Sequence, residues 1–529
     1  MGRGTKRSAV RVDDAGIHLP SGFAGSADVL FDGRRVWSFS VDRPDPDAAT
    51  VAWPKRMKRM LDGRVEVRIV AGEREIFAGE RQFGTGTERI RLEDSQGTPI
   101  VVDKWGLIQR PFEGRDPGVI DAMADKATEI LRVMREDCGF EGWISFGSLL
   151  GAARNGRAIG HDSDIDLCFL STATTPAGMS ADLWRIARAL RRAGMRVTHA
   201  SGSFITVRFR GPDGGAAGID IYITFFLDGL FYETATVRAP VPREALLPLG
   251  EIEFEGRMMP APADPAALLE VSYGPNWRVP DPSFQHQPGP EIVDRFHGWF
   301  GSLMRGRRDW RHANTAAATA VATAGAGPSE FAEWVCGRLT PHSAVAEIGT
   351  GGGADLLRYA DSSRRALGLD YSLPGPLVAA VKKRPGVRLD TLNLYDRRDV
   401  LVRGAWLARR RGPRVLVAHR LLETLEPDGL EAFWLLAGMA LRGGGRAYVG
   451  GVTRHRAAAA EWAQRHGTGK VFPFSPTSVE DQVRAAGGRI VERSGFESAD
   501  RARRGGPSAE WRMIVEWPER GSVDAGEVT

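Results

Sequence analysis

The sequence predicts a multidomain chain of mixed class: an N-terminal all-β module, an α+β middle domain and a C-terminal α/β domain of doubly wound type. Three observations predict it. The first hundred residues carry short apolar runs broken by Asp-Gly and Gly-rich turns; a long helical pattern then leads into alternating strands; and beyond residue 340 a short apolar strand runs into a glycine turn and a helix. At 529 residues the length prior is about three to four domains. The expected partition is 1–112 for a small sandwich-like all-β module, 113–290 for the α+β domain, 291–330 for a linker and lead helix, 331–518 for the α/β domain and 519–529 for a tail.

In the N-terminal part, Ala27–Phe31 and Val36–Ser40 flank Asp32-Gly33-Arg34-Arg35, a hairpin signal. Further strand-like runs are 65–70, 75–77, 89–92, 99–102 and 105–108. No His, Cys or carboxylate cluster is visible there, so interaction is the expected role. Residues 116–138 then show helical spacing, with Val119, Ile120, Met123, Ala127, Ile130, Leu131 and Met134 on one stripe.

The block Gly147–Leu167, GSLLGAARNGRAIGHDSDIDL, carries the chemistry of the middle domain. Asp164 and Asp166 alternate with Ile165 and Leu167, so both carboxylates share one face of a strand. Paired hard oxygen ligands suit Mg²⁺ or Mn²⁺ beside nucleotide phosphates. Gly147-Ser148 reads as a turn giving close backbone approach and a hydroxyl for donor phosphates. Asp220, in the alternating run Gly218–Ile223, supplies the third carboxylate as metal ligand or base, on what would be the neighbouring strand. A solvated strand face is the bland alternative for any one of these residues; their order along the chain argues against it. Arg154, placed in the loop before the Asp strand, is the candidate phosphate clamp, against the plain alternative of an exposed loop arginine. His161 reads as a hydrogen-bond partner more readily than as an acid.

This block resembles the LicD/fukutin-related family, whose pattern is G-[GS]-x-L-L-G-x-x-R-x-G followed by a bulky residue and Asp-x-Asp-Ile-Asp. Gly147, Ser148, Leu149, Leu150, Gly151, Arg154, Gly156, Asp162, Asp164 and Asp166 match it. His161 stands where the family usually has Trp, and Ser163 interrupts a run that is often all Asp; Asp162 is taken with Gly147 and Ser148 as donor-binding. Phe254-Glu255-Gly256, Pro260, Pro262, Tyr273-Gly274-Pro275-Asn276-Trp277 and Pro280 resemble the family's closing segment. The resemblance covers about residues 115–285. It implies a nucleotidyltransferase fold that moves a phosphodiester-linked group, such as phosphocholine or a polyol phosphate, from a CDP-activated donor to a glycan.

In the C-terminal part, the strand Ser343–Ile348 enters Gly349-Thr350-Gly351-Gly352-Gly353 and a helix start, the nucleotide-binding entry of a doubly wound sheet. The next strand ends in Asp370, about 20 residues on, where an acid can accept ribose hydroxyls. The form Glu347-x-Gly349-x-Gly351-x-Gly353 departs from the dinucleotide spacing. It resembles motif I of class I S-adenosylmethionine-dependent methyltransferases. The run 389–394, with Asn393, resembles the adenine-side segment; 414–423, 441–449 and 510–517 resemble later strands. The resemblance covers about 310–518 and implies S-adenosyl-L-methionine as cofactor. His419 and Glu423 either face the acceptor or lie as polar residues under a loop. Asn314–Gly327 reads as a flexible linker or, from its alanines, as the lead helix. Phe296–Met304 reads as a short amphipathic helix and Arg501–Pro507 as a loop.

The three cysteines are far apart, which argues for a reducing compartment and against a disulfide framework or zinc cluster. No apolar run approaches the roughly 18 residues of a membrane span, and a cytoplasmic location is expected. Net charge is +5. Basic clusters at 55–59, 305–308 and 409–411 read as solvated surface, with peripheral contact to the inner face of a membrane or to a phosphorylated glycan as the functional alternative. Nothing interleaves aromatics with basic residues as nucleic-acid binding would. The expected function is thus bifunctional: metal-dependent transfer from a CDP-activated donor to a glycan or glycolipid, plus methylation. A nucleotidyltransferase acting on a small molecule or RNA, or one half as a non-catalytic binding module, is the alternative.

Overall fold

The computed structural model describes residues 10–41, 49–234, 236–281, 283–286, 289–296, 298–410 and 414–518. The expected tail and Arg411 of the cluster at 409–411 lie outside them. The chain forms two compact units, one of Met1–His199 with Ser203–Arg295, the other of Ala200–Gly202 with Phe296–Thr529.

The first unit begins with a four-stranded antiparallel sheet, in the order Arg34–Val41, Gly25–Phe31, Gly63–Ala71, Arg74–Phe83. Its first hairpin turns at Asp32 and Gly33, both at positive φ (49° and 80°), the geometry that Asp-Gly favours. A three-stranded sheet (Arg11–Val12, Gly16–His18, Thr50–Ala52) and one helical turn, Lys55–Lys58, share its core around Trp37, Trp53, Met57 and Phe83. Val101–Val102 and Ile108–Gln109 then pair as a short hairpin.

Helix α1 (Pro117–Cys138) starts where Asp116 accepts the N–H of Gly118 and ends at Gly139 in the left-handed region. Its periodic apolar residues are buried as their spacing predicts, except Ile120, which is half-buried. Strand β1 (Gly142–Ile144), helix α2 (Phe146–Asn155), strand β2 (Ile165–Ser171), helix α3 (Pro176–Arg192) and strands β3 (Arg196–Thr198), β4 (Phe204–Arg210) and β5 (Ala216–Leu227) follow. The sheet order is β1-β2-β5-β4-β3, with β2 and β5 parallel and the other neighbours antiparallel. Every residue of β2 is buried. Helices α1 and α3 pack on each other and on this sheet. Helix α4 (Pro265–Tyr273) closes the unit's core near Phe231 and Leu246.

In the second unit, Asn314–Gly327 resolves in favour of the lead helix: α5 spans Arg307–Ala324 and buries Asn314 and Ala318. The described residues of 296–304 are not helical; Phe296, Phe300 and Leu303 are buried from an irregular segment, because apolar spacing reports burial and not backbone state. Helix Phe496–Arg503 occupies part of the loop expected at 501–507. The sheet strands are β6 (Ala344–Ile348), β7 (Arg365–Asp370), β8 (Val387–Thr391), β9 (Arg414–His419), β10 (Gly445–Thr453), β11 (Arg489–Ser494) and β12 (Ala509–Trp517). Their order is β8-β7-β6-β9-β10-β12-β11, parallel except for the pairings of β12. Helix α6 (Ala354–Ser362) follows β6 at the point where strand order reverses, the crevice where doubly wound sheets take ligands.

Candidate functional site

The first unit brings its separated carboxylates together. Strands β2 and β5 pair in parallel register, placing Asp166 beside Asp220. Asp164 stands two residues back, just before the strand. Ligand oxygens of Asp164, Asp166 and Asp220 lie within 4.8 Å of one another. Burial first, then the neighbouring charges of Asp162, Asp166 and Asp220, push the Asp164 carboxyl well above the usual range. Burial and the charges of Asp162 and Asp220 do the same to Asp166. Burial also raises Asp220, while a hydrogen bond from Thr206, the charge of Arg208 and the Tyr222 hydroxyl at 3.3 Å act against it. Such crowding is unfavourable unless a cation shares the oxygens. An all-carboxylate set suits a hard divalent ion, so these residues fit Mg²⁺ or Mn²⁺.

The Gly-Ser pair is not a turn. It forms the first turn of α2, entered through Phe146 at φ 43°. Gly147 donates its N–H to Asp166 Oδ2 at 3.1 Å. A Cβ there would stand 2.5 Å from Asp162 Oδ2 and 3.4 Å from Asp166 Oδ2, so only glycine lets the helix back this closely onto the cluster. The Ser148 hydroxyl is buried and accepts the Asp166 N–H at 2.9 Å. It orients the strand. Arg154 lies in the last turn of α2, not in a loop, and donates to the carbonyls of Trp277 and of Val279 (3.1 Å). Half of its fork therefore pins the Tyr-Gly-Pro-Asn-Trp segment. Asp162 accepts the Ser163 N–H and touches the Gly147 side of the cluster.

Residues that sequence reasoning missed complete this site. Rings of Phe146, Tyr222, Tyr273 and His286 wall it, with centroids 5.0–5.4 Å apart from Tyr222 to Phe146, Phe146 to His286 and His286 to Tyr273. Burial first, with Lys104 beside it, lowers His286 to about 4. His161 also falls to about 4, through burial and then the charge of Arg35. Both rings are neutral at pH 7. Glu233, fully buried, takes the hydroxyls of Ser145 and Ser272 and ties the start of α2 to α4. Tyr273 lies in the closing motif read from the sequence; no local pattern marks the others, which meet through the sheet topology.

The second unit holds a cavity of about 900 Å³. The glycine turn, Glu347, Asp370, Asn393 and His419 line it. Gly349, Gly351 and Gly353 all take positive φ, and a Cβ on Gly353 would meet Leu377 at 2.2 Å. At Gly351 a Cβ would meet nothing closer than 3.9 Å, so its side opens into the cavity. Glu347 is buried, with Oε2 free of any hydrogen-bond partner among the described residues, and burial followed by the charges of Asp355 and Asp370 raises its carboxyl well above the usual range. An unsatisfied buried acceptor beside a glycine turn fits a ligand that brings hydroxyl or ammonium donors. Asp370 already accepts the N–H groups of Gly351 (3.1 Å) and Ser372 (2.8 Å), which fix it at the end of β7 with lone pairs to spare. The Asn393 amide is committed to the Leu303 carbonyl and the Tyr395 N–H, so it shapes the wall through structure. His419 lines the cavity, its Nδ1 3.2 Å from Asp355. Glu423 does not line it; it is buried and accepts the Val452 N–H at 3.0 Å. No helix among the described residues is long and apolar enough to cross a membrane.

No curated protein matches the chain. Among solved structures, the chain is similar to the 1,6-didemethyltoxoflavin N1-methyltransferase of Burkholderia thailandensis, solved with S-adenosylhomocysteine bound. Identity is 14%, covering 45% of this chain and 93% of that one, with a TM-score of 0.29. It is also similar to the cyclopropane synthase MmaA2 of Mycobacterium tuberculosis, at 15% identity, 35% and 82% coverage and a TM-score of 0.27. Residues 139–264, which contain Asp164, Asp166, Asp220 and the helix that backs them, match the family described as LicD/FKTN/FKRP, nucleotidyltransferase domain, and the chain therefore carries a LicD-family domain over that span.

Proposed function

We propose that the first unit transfers a phosphodiester-linked group from a CDP-activated donor to a glycan or glycolipid hydroxyl, and that the second methylates the same polymer or its substituent with S-adenosyl-L-methionine. The observation that carries the first part is the Asp166–Asp220 register pair, joined by Asp164 within 4.8 Å inside a LicD-family segment. In this reading Asp164 and Asp166 hold the donor-side cation and Asp220 orients the acceptor hydroxyl or a second cation. A bound divalent ion would neutralise charge on the donor phosphates. Gly147 and Ser148 fix Asp166; Tyr222 and Thr206 fix Asp220; the aromatic wall keeps water from the phosphorus. The acceptor oxygen attacks phosphorus, its proton passes to Asp220 or solvent, and CMP leaves.

The second part is supported by Glu347 and Asp370 flanking the glycine turn of the 900 Å³ cavity. Both would accept hydrogen bonds from the methyl donor. Two catalytic units on one chain raise the local concentration of a shared substrate. The deciding experiment incubates the protein with CDP-choline and CDP-polyols, Mg²⁺ or Mn²⁺, and glycan acceptors, and follows CMP release with and without chelator. Metal-dependent CMP release supports the reading; incorporation of the nucleotide itself into product would replace it with nucleotidyl transfer. Calorimetric titration with S-adenosylhomocysteine tests the second unit.

A further inference from the structure

The hairpin Val101–Gln109 belongs to the N-terminal part of the chain, yet it is pinned to both walls of the carboxylate site. On one side the Ser163 hydroxyl, between Asp162 and Asp164, reaches Gln109 Oε1 at 3.4 Å, and Phe112 donates its N–H to the Asp162 carbonyl at 2.7 Å. On the other, the Gln285 amide donates to the Lys104 carbonyl, and the next residue, His286, packs on Phe146 and Tyr273. Asp103 is used within the hairpin: it accepts the N–H groups of Trp105 (2.9 Å) and Leu107 (2.7 Å) and the Gln109 amide (3.0 Å). The half-buried Lys104 ammonium has no carboxylate partner among the described residues. Its charge is nevertheless felt inside the site. After burial, it is what depresses His286.

We propose that Lys104 is the diphosphate-binding cation of this site, delivered to it by the N-terminal part of the chain. The role rests on the phosphotransfer reading above. An ammonium with no carboxylate partner among the described residues, carried on a hairpin tied to Asp162, Ser163 and Gln285, would act with opposite sign on the site's two ligands. It opposes a divalent cation and attracts the dianionic diphosphate that comes with it. This also gives the N-terminal part a function that its own residues, lacking any cluster, do not suggest.

The sign difference is the test. Calorimetry on the full chain would measure Mn²⁺ alone, then CDP and inorganic pyrophosphate at saturating Mn²⁺. Lys104→Met keeps the aliphatic stem and removes the charge. It should leave Mn²⁺ affinity equal or tighter while weakening both CDP and pyrophosphate by about tenfold or more. Equal loss for pyrophosphate identifies the phosphates, not the base, as what Lys104 reads. Lys104→Arg should restore most of the CDP affinity. Parallel loss of Mn²⁺ and CDP binding would mean that the hairpin only holds the fold, and unchanged CDP binding would mean that Lys104 faces solvent; either overturns the proposal while leaving the phosphotransfer reading intact. Wild-type protein that binds Mn²⁺ but neither CDP nor pyrophosphate removes that reading, and the role of Lys104 with it.

Discussion

Asp166 concentrates the electrostatic conflict of the first unit. It is buried beside Asp162 and Asp220, and its own backbone N–H and carboxylate are held by Ser148 and Gly147. Asp166→Asn should therefore have two effects of opposite sign. Transfer should fall by roughly 10²–10⁴-fold, and the protein in chelator should melt higher than wild type, since a like-charge contact is gone. Calorimetric scans with and without Mn²⁺ read the second effect; a lower melting temperature in chelator would mean that the cluster is not frustrated when metal-free. His286 gives a pH dependence. Its ring is pushed down to about 4 from 6.5, by burial and then by Lys104. Below pH 6.5 the unfolded chain takes up a proton that the folded chain refuses. Stability is thus complete above pH 6.5 and declines toward pH 4, by about 3 kcal/mol for this ring. His286→Gln should flatten the acid side of a denaturation series; an unchanged slope would count against a buried neutral ring.

At the scale of elements, α2 and β2 work as one device. The helix's first turn donates to and accepts from the strand that carries Asp166. Ser148→Ala should accordingly cost stability, on the order of 1–3 kcal/mol for an unsatisfied buried N–H, and leave CDP affinity nearly unchanged. A selective loss of CDP binding without loss of stability would restore the hydroxyl to the donor. In the second unit the glycine turn between β6 and α6 faces the cavity. Gly351→Val forces a branched residue into φ 56° and points it into open space. Binding of S-adenosylhomocysteine should be abolished, whereas Asp370→Ala should weaken it by roughly 1–3 kcal/mol. Binding of a nicotinamide dinucleotide instead would overturn the methyl-donor assignment.

For the molecule as a whole, the second unit offers a boundary test. Its Phe296, Phe300 and Leu303 are buried, the Leu303 carbonyl accepts from Asn393, and Arg305 bridges Glu426 and Asp428. A fragment from residue 296 should fold and bind S-adenosylhomocysteine, while one from residue 310 should be less stable. Equal melting temperatures for the two fragments would show that the 296–305 segment contributes nothing. The same fragment should lack metal-dependent CMP release, because Asp164, Asp166 and Asp220 all lie in the first unit.

The sequence by itself determined what spacing encodes. Alternation marked the strand that carries Asp166, with Asp164 falling just before it, helical periodicity marked α1, and the Glu-x-Gly-x-Gly-x-Gly turn marked the entry to the second sheet, because each signal lies within a few residues of one element. Only the tertiary structure decided what long-range pairing creates. It put Asp166 opposite Asp220 in a parallel register, made Gly147-Ser148 a helix start instead of a turn, and turned one amino group of Arg154 onto the Trp277 and Val279 carbonyls. It also separated His419, which lines the cavity, from Glu423, which is buried under β10. The hairpin that carries Lys104 and the segment that carries His286 meet this site from more than 50 residues before Asp162 and more than 60 after Asp220. Their place depends on a hairpin and a closing segment folding over a sheet, and no local periodicity reports contacts between elements so far apart in the chain.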